Sequence, residues 1–414
     1  MNSIRAVIDW LVDGARSATL SEDMIAELCR RMVACDLPLW RVAVFVRTLH
    51  PDIAGRRFVW CPESGVSTSE VSFNLFESDE FRASPLTTIY DTCEPLRRCL
   101  SDGDCPDDFP FWRDLRAEGV TDYVGFPLRF TDGTIQVATW ATRQPGGFTP
   151  EQFTAIQAVI TPLARVAEVR ALRRTATNLL DTYVGRQAGE RILAGKIQRG
   201  HIEEIYAAIW LSDMRGFTTL SEQLPSEDLI DLLNRYFGCQ VPVILEHGGE
   251  VLKFMGDGLL AIFPLSANAN DSNEVCRRAL MGAREVQALV NGLEVSPRAA
   301  RKDAVRFGLA LHVGDVKYGN IGGGDRLDFT CIGPAVNLAA RLEKIAAKLG
   351  KTIVASAEFV AHFPDQFVSL GEFSVAGFAA PQLVFGLKDQ VGVENENQNI
   401  APDSQVQGIA KTSL

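Results

Sequence analysis

Histidine is scarce in this 414-residue chain, five in all, and none lies near the cysteine run Cys93, Cys99 and Cys105. The nine cysteines form no C-x-x-C pair. The spacing of a zinc site is therefore missing, and free thiols in a reducing compartment are expected. No run of about 18 uninterrupted apolar residues occurs, so no helical membrane span is expected. The first 17 residues carry Asp9 and Asp13 inside their apolar stretch and do not read as a signal peptide. Basic residues are outnumbered, 41 against 52, for a net charge of −11. A chain this acidic is a poor candidate for tracking a nucleic-acid backbone, which needs a basic face. With 34 glycines and 19 prolines, the chain is also far from low complexity. What remains is globular: 46% hydrophobic and 22% charged residues, at a length that suits two or three domains. A cytoplasmic protein with a sizeable core is expected.

A helical pattern runs from about Ile4 to Val33, followed by strand-like runs Trp40–Val46 and Arg57–Trp60. Residues Pro62–Asp108 read as loop-rich. Val124–Leu128 and Ile135–Ala141 form a hairpin around Asp132-Gly133, a pair that supplies the positive φ of a tight turn. Thr149 then caps a long helix with Pro150 at its first position. Arg170 and Arg173 interrupt a strict heptad in that helix, which reads either as a coiled coil or as a domain-closing helix that extends into a linker. Beyond His201 the chain alternates clearly between strand and helix. Ile205–Leu211 is a strand, and Ser226 caps a helix running through Ile244. Strands Glu250–Phe254 and Leu259–Phe263 face each other across Met255–Gly258. A helix from Asn273, a strand Val305–Val313, a hairpin Val316–Asn320 to Phe329–Ile332 and a helix opened by Pro334 follow. The order β-α-β-β-α-β is that of a ferredoxin-like core. From about Gly392 the tail is polar and reads as disordered.

Asp213 ends a predicted strand and Asp257 sits in a hairpin turn. If the two strands are sheet neighbours, both carboxylates emerge at one edge, a hard-oxygen site for Mg²⁺ or Mn²⁺. Two such ions about 3.5–4 Å apart clamp nucleophile and leaving group in a phosphoryl or nucleotidyl transfer. Taken singly, each aspartate reads more readily as a turn residue or cap than as a metal ligand. Asn337 and Arg341, four apart, share one helix face, which either presents Arg341 to a phosphate or is simply solvated alongside Lys344 and Lys348. Gly319–Asp325 lacks the Lys-Ser/Thr of a phosphate loop and reads as a hairpin turn.

Three stretches in register resemble the class III nucleotidyl cyclases: Ser212–Thr218 (SDMRGFT), Gly249–Asp257 (GEVLKFMGD) and Phe329–Glu343 (FTCIGPAVNLAARLE). The resemblance spans about His201–Lys388. It implies that Asp213 and Asp257 bind two Mg²⁺ or Mn²⁺ ions with the Met214 carbonyl as an auxiliary ligand. It further implies that Lys253 and Thr330 read the purine, that Asn337 orients the ribose and that Arg341 stabilises the transition state. The Phe217–Thr218 backbone would bind the triphosphate. Members of the family work as head-to-tail dimers, so a homodimer with two active sites is implied. One departure stands out. A lysine that many members use to grip the triphosphate is missing from Ser374–Pro381, and Arg215 is the candidate to replace its charge. The Lys253–Thr330 pair points to ATP, where a Glu–Cys pair goes with guanine.

The N-terminal segment is similar to GAF-type sensors in Gly125–Leu128, Asp132-Gly133 and Gly147–Glu151. The expected architecture is α/β (α+β): a GAF-like sensor over 1–172 with an unidentified signal, a helical linker over 173–200, a cyclase catalytic domain over 201–390, and a disordered tail over 391–414. The expected activity is adenylate cyclase. Guanylate cyclase, or a degenerate cyclase-fold regulatory module, is the alternative.

Overall fold

The computed structural model describes residues 3–102, 105–198, 200, 202–266, 268–295, 304–323 and 326–391. The chain divides into two units, Met1–Tyr183 and Val184–Leu414. The division falls inside the stretch expected to be a linker.

The N-terminal unit begins with α1 (Ile4–Val12) and α2 (Ser21–Val33). The single helix expected over this span is broken because Gly14 and Ala15 both take positive φ, 86° and 49°, which ends α1 in a turn. Strands β1 (Arg41–Arg47), β2 (Gly55–Cys61) and β3 (Gly65–Val71) follow, then short helices α3 (Phe73–Glu77), α4 (Asp79–Arg82) and α5 (Pro85–Thr92). The unit continues with β4 (Leu96–Cys99), α6 (Phe111–Ala117), β5 (Asp122–Arg129), β6 (Ile135–Thr142) and α7 (Pro150–Val184). The region read as loop-rich thus holds two strands and three short helices. Their polar, Ser-capped sequences carry no amphipathic period long enough to register, and β3 is a polar edge strand. The sheet order is β3-β2-β1-β6-β5-β4, with antiparallel pairing throughout. Leu28, Met32, Val42, Trp140, Ile156 and Leu163 form the core on one face. Ile89, Trp112 and Val137 form it on the other.

Helix α7 starts as expected and carries a reciprocal cap. Thr149 Oγ1 accepts from the Gln152 amide at 3.2 Å, and Gln152 Oε1 accepts from the Thr149 amide at 3.0 Å. Its first half is buried through Ile156, Val159 and Leu163. Its second half exposes Val169, Leu172, Leu179 and Tyr183.

The C-terminal unit opens with α8 (Arg186–Leu193), whose Ala188 is buried against Ala207, Ile209 and Ile262. Then come β7 (Ile202–Met214), α9 (Phe217–Gln223), α10 (Ser226–Glu246), β8 (Glu250–Met255), β9 (Gly258–Pro264) and α11 (Ala269–Asn291). Next are β10 (Phe307–Gly323), β11 (Arg326–Ile332), α12 (Pro334–Leu349), β12 (Ile353–Ser356), α13 (Ala357–Val360), β13 (Phe367–Phe373), β14 (Gln382–Leu387) and α14 (Lys388–Val391). The sheet runs β13-β14-β12-β10-β7-β9-β8, with β11 paired to β10. Its β10-β7-β9-β8 segment, with α10 and α11 as crossovers, is the expected β-α-β-β-α-β core. Alternation along β7 sends Ala208 and Trp210 into the core shared with α10 and α11, and Ile209 and Leu211 towards α12.

Two local expectations change. Ser226 is the first residue of α10, with Pro225 before it, and makes no capping bond. Val305–Val313 and Val316–Asn320, expected as separate strands, are parts of the single strand β10. Antiparallel pairing with β7 from Phe307 to Gly319 carries it straight through. The tip of the β10–β11 hairpin, 324–325, lies outside the described residues, as does the expected tail from 392 onward.

Candidate active site

Strands β7 and β9 are antiparallel neighbours with Ser212 opposite Leu259. The end of β7 therefore lies against the β8–β9 hairpin. Met255 pairs with Gly258, leaving Gly256-Asp257 as a two-residue loop. Gly256 takes φ +69°, the glycine-first requirement of a mirror-image hairpin turn. Gly258 is needed for a different reason: a Cβ there would come within 3.1 Å of Asp213 Oδ1 and 3.3 Å of the Ser212 carbonyl. Absence of that carbon leaves room for the Asp213 carboxyl beside the turn that carries Asp257.

The two carboxylates repel. Burial first, then the charges of Asp257 and Glu343, push the Asp213 carboxyl up to about 7, with Arg215 opposing. A pair of carboxylates this crowded suits a divalent cation, which removes the repulsion that protonation otherwise relieves. Among the described residues no group of three or more His, Cys, Asp or Glu is arranged as a metal cage. An ion at Asp213 and Asp257 would complete its shell from backbone, solvent or substrate oxygens, as Mg²⁺ usually does. Met214, the last residue of β7, is 3% exposed. Buried Ser212 donates to Gln240 Oε1 at 2.6 Å and ties the end of β7 to α10.

After Met214 the chain turns through Arg215 and Gly216, which takes φ +73°, into α9, opened by Phe217 and Thr218. The Arg215 guanidinium does not project freely. Its Nη1 donates to Glu343 Oε1 at 2.5 Å, and the Glu343 side chain is 5% exposed. Burial raises the Glu343 carboxyl, against the pull of Arg215. The expected role of Arg215 as a replacement for the missing triphosphate lysine therefore meets a committed side chain.

Lys253 on β8 pairs with Asp328 on β11, Nζ to Oδ2 at 2.8 Å, and this cation holds the Asp328 carboxyl below its ordinary range. Along β11, Phe329 and Cys331 are buried in the core at 8% and 3% exposure. Period-two alternation puts Asp328 and Thr330 on the opposite face. Thr330, not its neighbour Cys331, thus shares a strand face with the partner of Lys253.

Asn337 and Arg341 lie on the exposed face of α12, whose opposite stripe, Leu338, Leu342 and Ile345, is buried. The structure brings Asp213, Asp257, Arg215 and Glu343 together at one edge and Lys253, Asp328 and Thr330 at another place on the sheet. Glu343 and Asp328 were missed in the sequence. The signal for Asp328 was its position two before Thr330 on one strand. For Glu343 it was a charge one turn after buried Ala339.

Residues 201–387 match the family described as the adenylate and guanylate cyclase catalytic domain. The chain is 27% identical over 225 residues to Adenylate cyclase 1 of Rhizobium meliloti, covering 52% of this chain and 33% of that protein. It is 30% identical over 169 residues to an adenylate cyclase of Anabaena cylindrica, covering 38% and 31%. The chain thus spans a third or less of the length of these relatives. Among solved structures, the adenylyl cyclase CyaB from P. aeruginosa is 27% identical with a TM-score of 0.37, over 45% of this chain and 95% of that one.

Proposed function

We propose that the chain, whose residues 201–387 match the adenylate and guanylate cyclase catalytic-domain family, converts ATP to 3′,5′-cyclic AMP and pyrophosphate as a homodimer. The observation that carries this reading is the meeting of Asp213 and Asp257 at the β7–β9 edge, with the Asp213 carboxyl driven up to about 7. These two side chains, with the Met214 carbonyl, would hold two Mg²⁺ or Mn²⁺ ions. When bound, the ions make the ribose 3′-hydroxyl more acidic and offset charge on the phosphates. The 3′-oxygen forms its bond to the α-phosphorus, the bond to the β-phosphate bridging oxygen breaks, and pyrophosphate departs with that electron pair. The hydroxyl proton passes to solvent.

Asn337 and Arg341 stand on the face of α12 turned away from the core of their own chain. There they suit a nucleotide held by a partner's aspartates: Asn337 orients the ribose, and Arg341 meets charge developing on the α-phosphoryl oxygens. Lys253 and Thr330 read the adenine edge, while the Phe217–Thr218 backbone supports the triphosphate. The burial of Cys331 favours adenine, since a Glu–Cys pair is not formed at the purine position. The N-terminal unit is read as a GAF-like regulator answering an unidentified small molecule or protein, and nine free thiols fit the cytoplasm. Among the described residues no helix is long and apolar enough to cross a membrane.

The test is incubation of the full chain with ATP and, separately, GTP in Mn²⁺, assaying cyclic product and pyrophosphate. Cyclic AMP from the parent and none from Asp257→Ala is expected. Lys253→Glu with Thr330→Cys is expected to move preference towards GTP, and an unchanged ATP preference would refute the assignment of the purine-reading pair.

A further inference from the structure

Arg215 and Glu343 are built into the fold with unusual care. The Arg215 amide donates to the Arg306 carbonyl at 2.8 Å, fixing the turn after β7 to the start of β10. Its guanidinium then lies over Gly308, which is paired with Asp213 across the β7–β10 ladder. A Cβ at Gly308 would fall 1.8 Å from Arg215 Nη2, 2.4 Å from Cζ and 2.7 Å from Glu343 Oε1. Gly308 is not among the glycines with positive φ, so its lack of a side chain answers to space and not to backbone conformation. Arg215 Nη2 is buried with no hydrogen-bond partner. A buried ion pair with an orphaned donor is a poor source of stability. Its place beside two aspartates points to another role.

We propose that Arg215 and Glu343 are positioning residues that set the cation affinity of the Asp213–Asp257 edge, Arg215 by cancelling the charge of Glu343 and holding that carboxylate back from becoming a third ligand. Neither side chain grips the nucleotide. The proposal rests on the reading that Asp213 and Asp257 hold divalent metal. It assigns opposite signs to the two members of the pair. Loss of the Glu343 charge leaves Arg215 as an uncompensated cation beside the site, and metal binding weakens. Loss of the Arg215 charge frees a third carboxylate, and metal binding tightens while turnover falls, because the ion is drawn towards Glu343. A pair that only stabilised the fold would move both variants the same way.

The experiment is calorimetric titration of Mn²⁺ into the full chain without nucleotide, with thermal unfolding alongside and kcat and KM for ATP at saturating Mn²⁺. Glu343→Gln is expected to weaken Mn²⁺ binding by about fivefold or more, the scale of one nearby unit charge screened as in water. Arg215→Met is expected to tighten it, and the charge-neutral double variant to return within about twofold of the parent, since the two charge effects cancel. Gly308→Ala, which displaces the guanidinium without removing it, is expected to follow Arg215→Met. A shift of both single variants in the same direction would overturn the proposal. So would an Arg215→Met that leaves Mn²⁺ binding unchanged and raises KM for ATP about tenfold, because that result puts the guanidinium on the triphosphate. If the parent binds no Mn²⁺, or Asp257→Ala binds it equally well, the metal reading itself fails, and the proposal with it.

Discussion

Replacing Asp213 by Asn should stabilise the metal-free protein, and only above a definite pH. The Asp213 carboxyl, ordinarily near 3.8, is pushed up to about 7 by burial and by the charges of Asp257 and Glu343. An acid raised in the folded state contributes stability that is complete below the unfolded value. That stability drains away as pH rises through the folded value, since over this window the native state holds a proton the unfolded state has lost. The full shift of about three units corresponds to about 4 kcal/mol. Asp213 is only half-buried, and screening by solvent reduces this to on the order of 1–2 kcal/mol. For a unit of this size that is about 2–8 °C in Tm. In EDTA, Asp213→Asn and the parent should unfold together near pH 4, and the variant should be more stable by this margin at pH 8. Mn²⁺ at pH 8 should raise the Tm of the parent and not that of the variant. A variant no more stable than the parent at pH 8, or a difference constant from pH 4 to 8, would refute the account of a crowded carboxylate pair.

Three further substitutions probe the packing within the two units. Tyr318 donates to Glu250 Oε1 at 2.7 Å, with the two residues 1% and 3% exposed and Glu250 Oε2 already without a partner. Tyr318→Phe should therefore cost about 1–3 kcal/mol, read as a lower midpoint of the C-terminal transition in urea; an unchanged midpoint would show the bond to be dispensable. In the N-terminal unit, a Cβ on Gly147 would fall 2.7 Å from Oδ2 of fully buried Asp122, which Arg97 and the Phe148 amide also hold. The neighbouring Gly146 has a similar positive φ, 80° against 75°, and open space. Gly146→Ala should cost about 1 kcal/mol and Gly147→Ala at least twice that, because only the second adds a clash to the backbone penalty; equal losses would rule out the clash.

Much of the C-terminal unit was legible along the chain because its features are local. A strand ending in Asp213, a glycine-bearing turn holding Asp257, and a helix opened by Pro334 with Asn337 and Arg341 on one face each follow from periodicity and turn chemistry within a dozen residues. The same logic placed Thr149 as the cap of α7. It failed where the signal was not local. The stretch of β10 past Val313 is held in one piece by β7, about a hundred residues earlier. The small helices of 73–92 owe their form to a core that α5 enters through Leu86 and Ile89.

The sequence by itself determined which residues stand at the ends of strands and on the faces of helices. Steric preference and apolar period settle these matters residue by residue. Only the tertiary structure decided who faces whom. Pairing of β7 with β9 crowds Asp213 against Asp257. The alternation of β11 buries Cys331 and leaves Asp328 and Thr330 on the other face, with Lys253 paired to Asp328. The bare backbone at Gly308 lets the Arg215 guanidinium lie down on Glu343, 128 positions away, and not out towards a phosphate. An ionisable side chain takes its charge state and its partner from whatever the fold brings within a few ångströms. That neighbourhood is a property of strand register and helix docking, to which no local pattern in the chain is sensitive.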